Sequence, residues 1–307
     1  MSGRPPLLVV VGPTAVGKTG LAIALAQALD AEIVSADSVQ VYRGLDVGSA
    51  KPTAREQAQA RHHLLDVADP AEPFSAARYV ELADQAIADI ASRGKRALVV
   101  GGTGLYVRAL LHGLAPAPPA APELREELRA QWQELGPLAM HRRLAELDAQ
   151  SAARLHPNDR QRVLRALEVC LGSGRPMSAW QASHRFGQRR YEHLTLGLDR
   201  QRQQLYQRIE ERGRQMWAEG LLEEARAALA AGASPQAHGL DSLGYRQAVA
   251  LILGRLTPEQ AVAETIKQTK AYAKRQLTWF RGLEGINWLS ADDLVGALAL
   301  ARRFFGL

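Results

Sequence analysis

Residues 12–19 read Gly-Pro-Thr-Ala-Val-Gly-Lys-Thr, and this octet constrains the fold more than any other part of the chain. It satisfies the pattern G-x-x-x-x-G-K-[ST]. The glycines let backbone N–H groups close around phosphate oxygens, the lysine adds positive charge, and the hydroxyl can reach a magnesium ion. The flanks agree. Leu7 to Val11 is a continuous apolar run of β type, and Leu21 to Leu29 is a strong helix former. Strand, loop and helix in that order predict the first unit of a parallel α/β sheet.

The alternation continues. Ala31 to Ser35 reads as a second short strand that ends in Ala36-Asp37-Ser38. Phe74 to Ser92 places Tyr79, Leu82, Ala83, Ala86, Ile87 and Ile90 on one helical face. Ala97 to Val100 is a further buried strand, running into Gly101-Gly102-Thr103-Gly104. The pattern then changes at Ala115 to Pro122, a proline-rich extended linker. From Glu123 to about Arg190 the chain shows helical segments and no convincing strand. Asn158 or Asp159 can cap a helix that runs to Leu171 and stops at Gly172-Ser173-Gly174. Tyr191 to Asp199 alternates like a strand and can rejoin the sheet; helices resume at Gln201 and continue nearly to the end. The expected fold is α/β: a parallel-sheet core like that of P-loop nucleotide hydrolases, formed by 1–114 and 191–307, with an all-helical insertion at 115–190.

Composition narrows the function. Of 307 residues 47% are apolar, enough for a sizeable core. The single cysteine, Cys170, excludes a disulfide framework and a zinc site built on several cysteines, and suits a reducing, cytoplasmic setting. It falls with Val163, Ala166 and Leu167 on one helical face, which makes it a core residue. The apolar start is too short for a secretory signal, and no membrane span is expected. His62 and His63 have no metal-ligand spacing and read as packing or RNA-side residues. The net charge of +6 permits a polyanionic partner. Its placement says more. On a helix over 265–282, Lys267, Lys270, Lys274 and Arg281 lie within about 60° of one another. Ile266, Ala273, Leu277 and Phe280 form the neighbouring apolar stripe, and the segment holds no acid. A ridge that contacts phosphates is expected, a solvated basic face being the bland alternative. Trp279 falls off both stripes, as core or as a base-stacking ring.

A nucleotide hydrolase would carry its magnesium-holding acid where Val100 runs into Gly101, and no carboxylate stands there. The acid is instead Asp37, at the tip of the second strand. It is either a turn residue or a base facing Lys18 and Thr19. A phosphate cradle with a separate carboxylate suits a reaction in which diphosphate leaves and Asp37 takes a proton from the nucleophile. A small-molecule or nucleoside kinase, a prenyltransferase acting on free AMP, and a non-enzymatic RNA-binding protein are the alternatives. The kinase lacks its acid, the AMP enzyme leaves the basic helix without a task, and the RNA binder leaves Lys18, Thr19 and Asp37 without one.

Eight segments in order carry a resemblance: GPTAVGKT (12–19), SADSVQVYRGLDVGSAKP (35–52), HHLLD (62–66), FSAARY (74–79), GGTGLY (101–106), HPND (156–159), GYRQ (244–247) and AKRQLTWF (273–280). Together they closely resemble the bacterial tRNA dimethylallyltransferase (tRNA isopentenyltransferase) family, nearly end to end. The resemblance implies transfer of a dimethylallyl group from dimethylallyl diphosphate to N6 of the adenosine 3′ of the anticodon. It implies Mg²⁺ dependence through Thr19 and general-base work by Asp37. Gly12, Pro13, Thr14, Ala15, Val16, Gly17, Lys18 and Thr19 would bind diphosphate, helped by Arg212. On sequence alone Arg212, beside Glu210 and Glu211, reads as a salt-bridge residue. Asp37, Ser38, Val39, Gln40 and Thr103 would meet the target base. Gln161, Arg162, Val163, Leu164 and Arg165, then Gly244, Tyr245, Arg246 and Gln247, then Lys274, Arg275 and Gln276 with Lys270, would contact the anticodon stem-loop. A cytoplasmic, monomeric enzyme with a nucleotide-binding type of loop follows. The family commonly carries an Arg ahead of Gly-Tyr-Arg-Gln, whereas Leu240-Asp241-Ser242-Leu243 stands here. The C-terminal zinc finger of eukaryotic members has no counterpart.

Overall fold

The computed structural model describes residues 3–118, 120–184 and 189–307. Pro119 of the proline-rich stretch and residues 185–188 of the expected insertion lie outside the described residues. In chain order, β1 (Leu7–Val11) leads to α1 (Lys18–Ala28), β2 (Ala31–Ser35), α2 (Ala54–Gln59) and β3 (His62–His63). There follow α3 (Ala76–Ser92), β4 (Arg96–Gly101), α4 (Gly104–His112), α5 (Pro122–Leu147), α6 (Ala149–Ala152), α7 (Arg160–Ser173) and α8 (Met177–His184). The chain ends with β5 (His193–Asp199), α9 (Arg202–Ala218), α10 (Leu221–Ala230), α11 (Tyr245–Ile252), α12 (Pro258–Arg281), β6 (Ile286–Ser290) and α13 (Leu294–Phe305). Two compact units result, residues 1–111 with 190–307, and residues 112–189.

The first unit is an α/β sandwich around one sheet of order β3-β2-β4-β1-β5-β6. Every pairing is parallel, with Val9 opposite Val99 and Thr195 in the central register. All five β1 residues are buried, because both faces are covered. The pleat sends Leu8 and Val10 into a core with Leu21, Leu25, Leu205 and Ala297. Leu7, Val9 and Val11 enter the opposite core with Tyr79, Ile87, Leu110 and Phe280. The predicted face of α3 is the one that packs: Tyr79, Ala83, Ile87 and Ile90 are fully buried.

Two strands were not among the expected elements. The region expected to stay helical to the end contains β6, whose residues are half-covered at the sheet edge and so lack an unbroken apolar run. His62 and His63 form the two-residue edge strand β3; His63 bonds to Glu32 at 2.7 Å, a packing role.

Among its described residues the second unit has helices and connecting loops and no strand. Leu128, Met140, Leu144, Val163, Leu167 and Cys170 form its core. Each such aliphatic side chain contributes about 1.5–3 kcal/mol on burial. Asp159 caps α7 by accepting the Arg162 amide at 3.3 Å, and Gly174 closes it in a left-handed conformation. Gly136 breaks α5 ahead of Pro137.

Candidate active site

At the carboxyl edge of the sheet, the neighbours β1 and β4 send their connections to opposite faces. Helix α1 enters one core and α4 the other. This opens a crevice where α/β sheets place ligands. A cavity of about 430 Å³ sits there, walled by the phosphate loop, Asp37, Gln40, the β4 tip, and residues of α9 and α12.

Gly17 caps α1 at φ 113°, a conformation in which a side chain is strained. Lys18 Nζ donates to the carbonyls of Gly12 and Pro13 at 3.0 and 2.9 Å. Burial lowers its pKa to about 8; the Asp37 charge raises it and the Arg212 charge lowers it further. Thr14, at the loop apex, is held twice from the C-terminal helices. Its amide donates to Gln276 Oε1 at 2.8 Å, and its hydroxyl accepts from Arg212. Arg208 Nε donates to the Ala15 carbonyl at 2.9 Å. Arg212 therefore serves the loop, and not an ion pair with Glu210 or Glu211; Glu210 pairs with Lys270.

Asp37 is a turn residue that also lines the cavity. Its Oδ1 accepts the amides of Val39 and Gln40 at 2.8 and 3.3 Å, a turn capped by its own side chain. Among the described residues Oδ2 has no hydrogen-bond partner, and the residue lines the cavity with Lys18 and Thr19. The Ser38 amide donates to Thr103 Oγ1 at 3.1 Å, which fixes Thr103 beside this turn. Gln40 Nε2 donates to the Ala50 carbonyl at 3.0 Å. Lys51 anchors the rest of the loop, donating to Tyr42 O at 2.9 Å, to Asp66 at 2.6 Å and to Asp46.

The residues expected to contact RNA divide by exposure. Val163 and Leu164 are core residues of the helical unit, so of 161–165 only Gln161 and Arg162 are well exposed. Arg165 is half-buried against Glu168 and the Pro118 carbonyl. Tyr245 is fully buried, its hydroxyl bonded to Glu224 at 2.5 Å, and Gln247 caps α11 through the Gly244 amide at 2.9 Å. Arg246 remains exposed but pairs with Asp241 at 2.9 Å. Gln276 is 6% exposed and bridges Thr14 to the Gly102 carbonyl, which Nε2 reaches at 2.9 Å. It cannot face RNA. A Cβ on Gly102 would stand 2.3 Å from Gln276 Nε2 and displace that side chain, and one on Gly101 would stand 2.1 Å from the Ala36 carbonyl oxygen, so glycine suits that tip. The α12 ridge is also less bare than its sequence: Lys267 pairs with Glu264, Lys270 with Glu210, and Arg281 with Asp199. Lys274 and Arg275 are exposed and have no carboxylate partner among the described residues. Lys274 borders a second cavity of about 660 Å³ at the ends of β5 and β6, away from Asp37.

Sequence reasoning missed Arg208, Glu211, Gln215 and Tyr272 as cavity walls. The signal was present: positions 208, 211, 212 and 215 follow one helical face, as do 272 and 276.

A protein-family model described as IPP transferase matches residues 40–283. The chain belongs to the IPP transferase family. It is 50% identical to tRNA dimethylallyltransferase 1 of Pelobacter propionicus, over 94% of each chain. It is 51% identical to the tRNA dimethylallyltransferase of Anaeromyxobacter dehalogenans, over 97% of this chain and 98% of that one. The crystal structure of the tRNA isopentenylpyrophosphate transferase of Bacillus halodurans matches with TM-score 0.71 and 37% identity, covering 99% and 96% of the two chains. A eukaryotic dimethylallyltransferase acting on tRNA matches with TM-score 0.81 and 26% identity, over 99% of this chain and 80% of that one. The match to the IPP transferase model begins at Gln40, so the phosphate loop and Asp37 stand just ahead of it. The described residues of this IPP transferase include no helix long and apolar enough to cross a membrane.

Proposed function

We propose that this IPP transferase moves a dimethylallyl group from dimethylallyl diphosphate to N6 of the adenosine 3′-adjacent to the anticodon of tRNA, releasing diphosphate. The observation that carries this reading is one cavity that holds both a phosphate loop and a carboxylate with a free oxygen, while glycines occupy the β4 tip where a kinase needs its acid. The tRNA acceptor is taken over from the relatives' names.

The loop amides, Lys18 and Arg212 bind the diphosphate and stabilise the charge that grows on it as it leaves. The Asp37 carboxylate takes the proton from N6, which becomes acidic only as the N–C bond forms. Thr103, Ser38 and Gln40 frame the base. A stacked adenosine hides its N6, so the nucleotide is extruded from the anticodon loop to reach the crevice. Exposed cations outside the cavity, Arg162, Arg246, Lys274 and Arg275, contact RNA phosphates, and the helical unit contributes through Gln161 and Arg162.

Magnesium fits the donors that the cavity offers. The described residues hold no cluster of three or more ligating side chains that would cage a metal. Mg²⁺ commonly takes one or two protein oxygens and completes its shell with substrate phosphate and water. The Thr19 hydroxyl in the cavity wall is such an oxygen. Bound there, the ion would neutralise diphosphate charge. We further propose a monomer working in the cytoplasm. Mass spectrometry of tRNA incubated with protein, Mg²⁺ and dimethylallyl diphosphate tests the reading: one added dimethylallyl group per anticodon loop is expected. Unmodified tRNA, or ATP consumption with a small acceptor, would overturn it.

A further inference from the structure

Breaking the C1–O bond of an allylic diphosphate places positive charge on the allyl carbons as the nucleophile closes. The cations that hold the leaving group, Lys18, Arg208 and Arg212, line the same cavity and repel that charge. Asp37 is committed to the proton. A neutral, electron-rich group that is not itself nucleophilic suits the carbon centre better than the other lining carboxylates, Glu56 and Glu211, which an allyl cation would alkylate.

One lining residue meets this description. Tyr272 is the single aromatic among the cavity's lining residues. It lies one turn before Gln276 on α12, and Gln276 grips Thr14 at the diphosphate end. Toward the other end, the charge of Asp37 acts on its hydroxyl: burial first, then that charge, pushes the hydroxyl up to about 12. The ring thus neighbours both the leaving-group and acceptor sides, and its hydroxyl stays neutral through the working pH range. The guanidinium of Arg275, which does not line the cavity, lies 5.8 Å from the ring centroid.

We infer that Tyr272 is a catalytic residue whose ring forms the wall against which the dimethylallyl carbons lie and whose π face stabilises their developing positive charge. The electron pair of C1–O leaves with the diphosphate. The N6 lone pair forms the new bond to C1, and the N6 proton passes to Asp37. The ring neither gives nor takes an atom. The inference rests on the dimethylallyl transfer proposed above.

Fluorination tests it, because fluorine drains the π face while nearly preserving shape. The Tyr272→Phe enzyme is compared with its counterpart carrying trifluorophenylalanine at the same position. Single-turnover rates are measured at saturating tRNA and dimethylallyl diphosphate. The fluorinated enzyme is expected to be slower by roughly 5- to 20-fold, as for loss of a desolvated cation–π contact. Matching thermal midpoints for the two proteins would show that the fold is unaffected. Equal rates, or a change confined to the KM for diphosphate, would overturn the inference. Failure of the wild-type enzyme to modify tRNA would instead defeat the underlying activity.

Discussion

Gln276 Oε1 accepts the backbone N–H of Thr14 at 2.8 Å, a hydrogen bond across 262 positions of sequence. The last long helix thereby holds the apex of the first loop. The amide is completed by Nε2 donating to the Gly102 carbonyl at 2.9 Å, so one buried side chain ties the phosphate loop to the β4 tip. Gln276→Ala would leave the part-buried Thr14 amide and the buried Gly102 carbonyl unpaired, the latter at about 1–3 kcal/mol. A lowered thermal midpoint is expected, with the KM for dimethylallyl diphosphate raised by roughly 10-fold and tRNA affinity held within about two-fold. Weakened tRNA binding with an unaltered donor KM would mark Gln276 as the RNA contact that its sequence neighbourhood suggested.

The pKa of Lys18 near 8 sets a pH dependence. The ammonium form binds the diphosphate, so kcat/KM for the donor should fall as pH rises above about 8. A bound anion raises the lysine pKa, so donor binding just above that pH takes up a proton. Calorimetry in two buffers of different ionisation enthalpy measures this uptake. The stability sign follows from the depressed value: the unfolded chain binds the Lys18 proton more tightly than the native one. The cost of burying the charge is present below about pH 8 and fades as pH rises to the ordinary lysine value of 10.5. Lys18→Ala should lower turnover roughly 10²-fold, as for one preorganised donor, and remove the proton uptake.

How much of this was legible depends on whether a feature is local. The octet at 12–19 is read from eight adjacent residues, and β1, β2 and α3 announce themselves by apolar run or helical period. The edge strand β6 does not, because half-exposure dilutes its pattern. Gln276 and Arg212 were named from sequence, yet what they touch depends on α9 and α12 crossing the loop, a long-range fact. The acids that pair with Lys270 and Arg281 come from α9 and β5, so a wheel drawn on 265–282 alone reads as bare positive charge.

Asp37 does two jobs with two oxygens, and substitution can separate them. Asp37→Asn retains an oxygen that can cap the Val39 and Gln40 amides but is too weak a base to take the proton. Asp37→Ala loses both. The rate should fall by roughly 10²–10⁴ in Asp37→Asn, with tRNA still bound. Asp37→Ala should show a comparable rate loss together with a lower thermal midpoint, a cap being worth about 1 kcal/mol. Near-normal turnover in Asp37→Asn would assign Asp37 to the turn alone and require another base, with Glu56 and Glu211 the remaining carboxylates in the cavity wall.

The α12 ridge yields a prediction that separates two lysines the sequence groups together. Lys270 is half-buried and bonded to Glu210, so it has little charge to offer a phosphate. Lys274 is exposed, has no carboxylate partner among the described residues, and borders the larger cavity beside Thr278 and Arg281. A phosphate contact displaces counterions, and each lost contact flattens the log–log dependence of RNA affinity on salt by about 0.7–0.9. Lys274→Ala should produce that change for every substrate tRNA alike, because backbone contacts carry no sequence information. Lys270→Ala should leave the slope as it is and lower stability slightly by freeing Glu210. The measurement is a salt titration of tRNA affinity for the two single variants and the wild type. A slope change in Lys270→Ala without one in Lys274→Ala would mean that RNA displaces the Glu210 pair, so that the ridge exchanges an internal acid for phosphate when RNA docks.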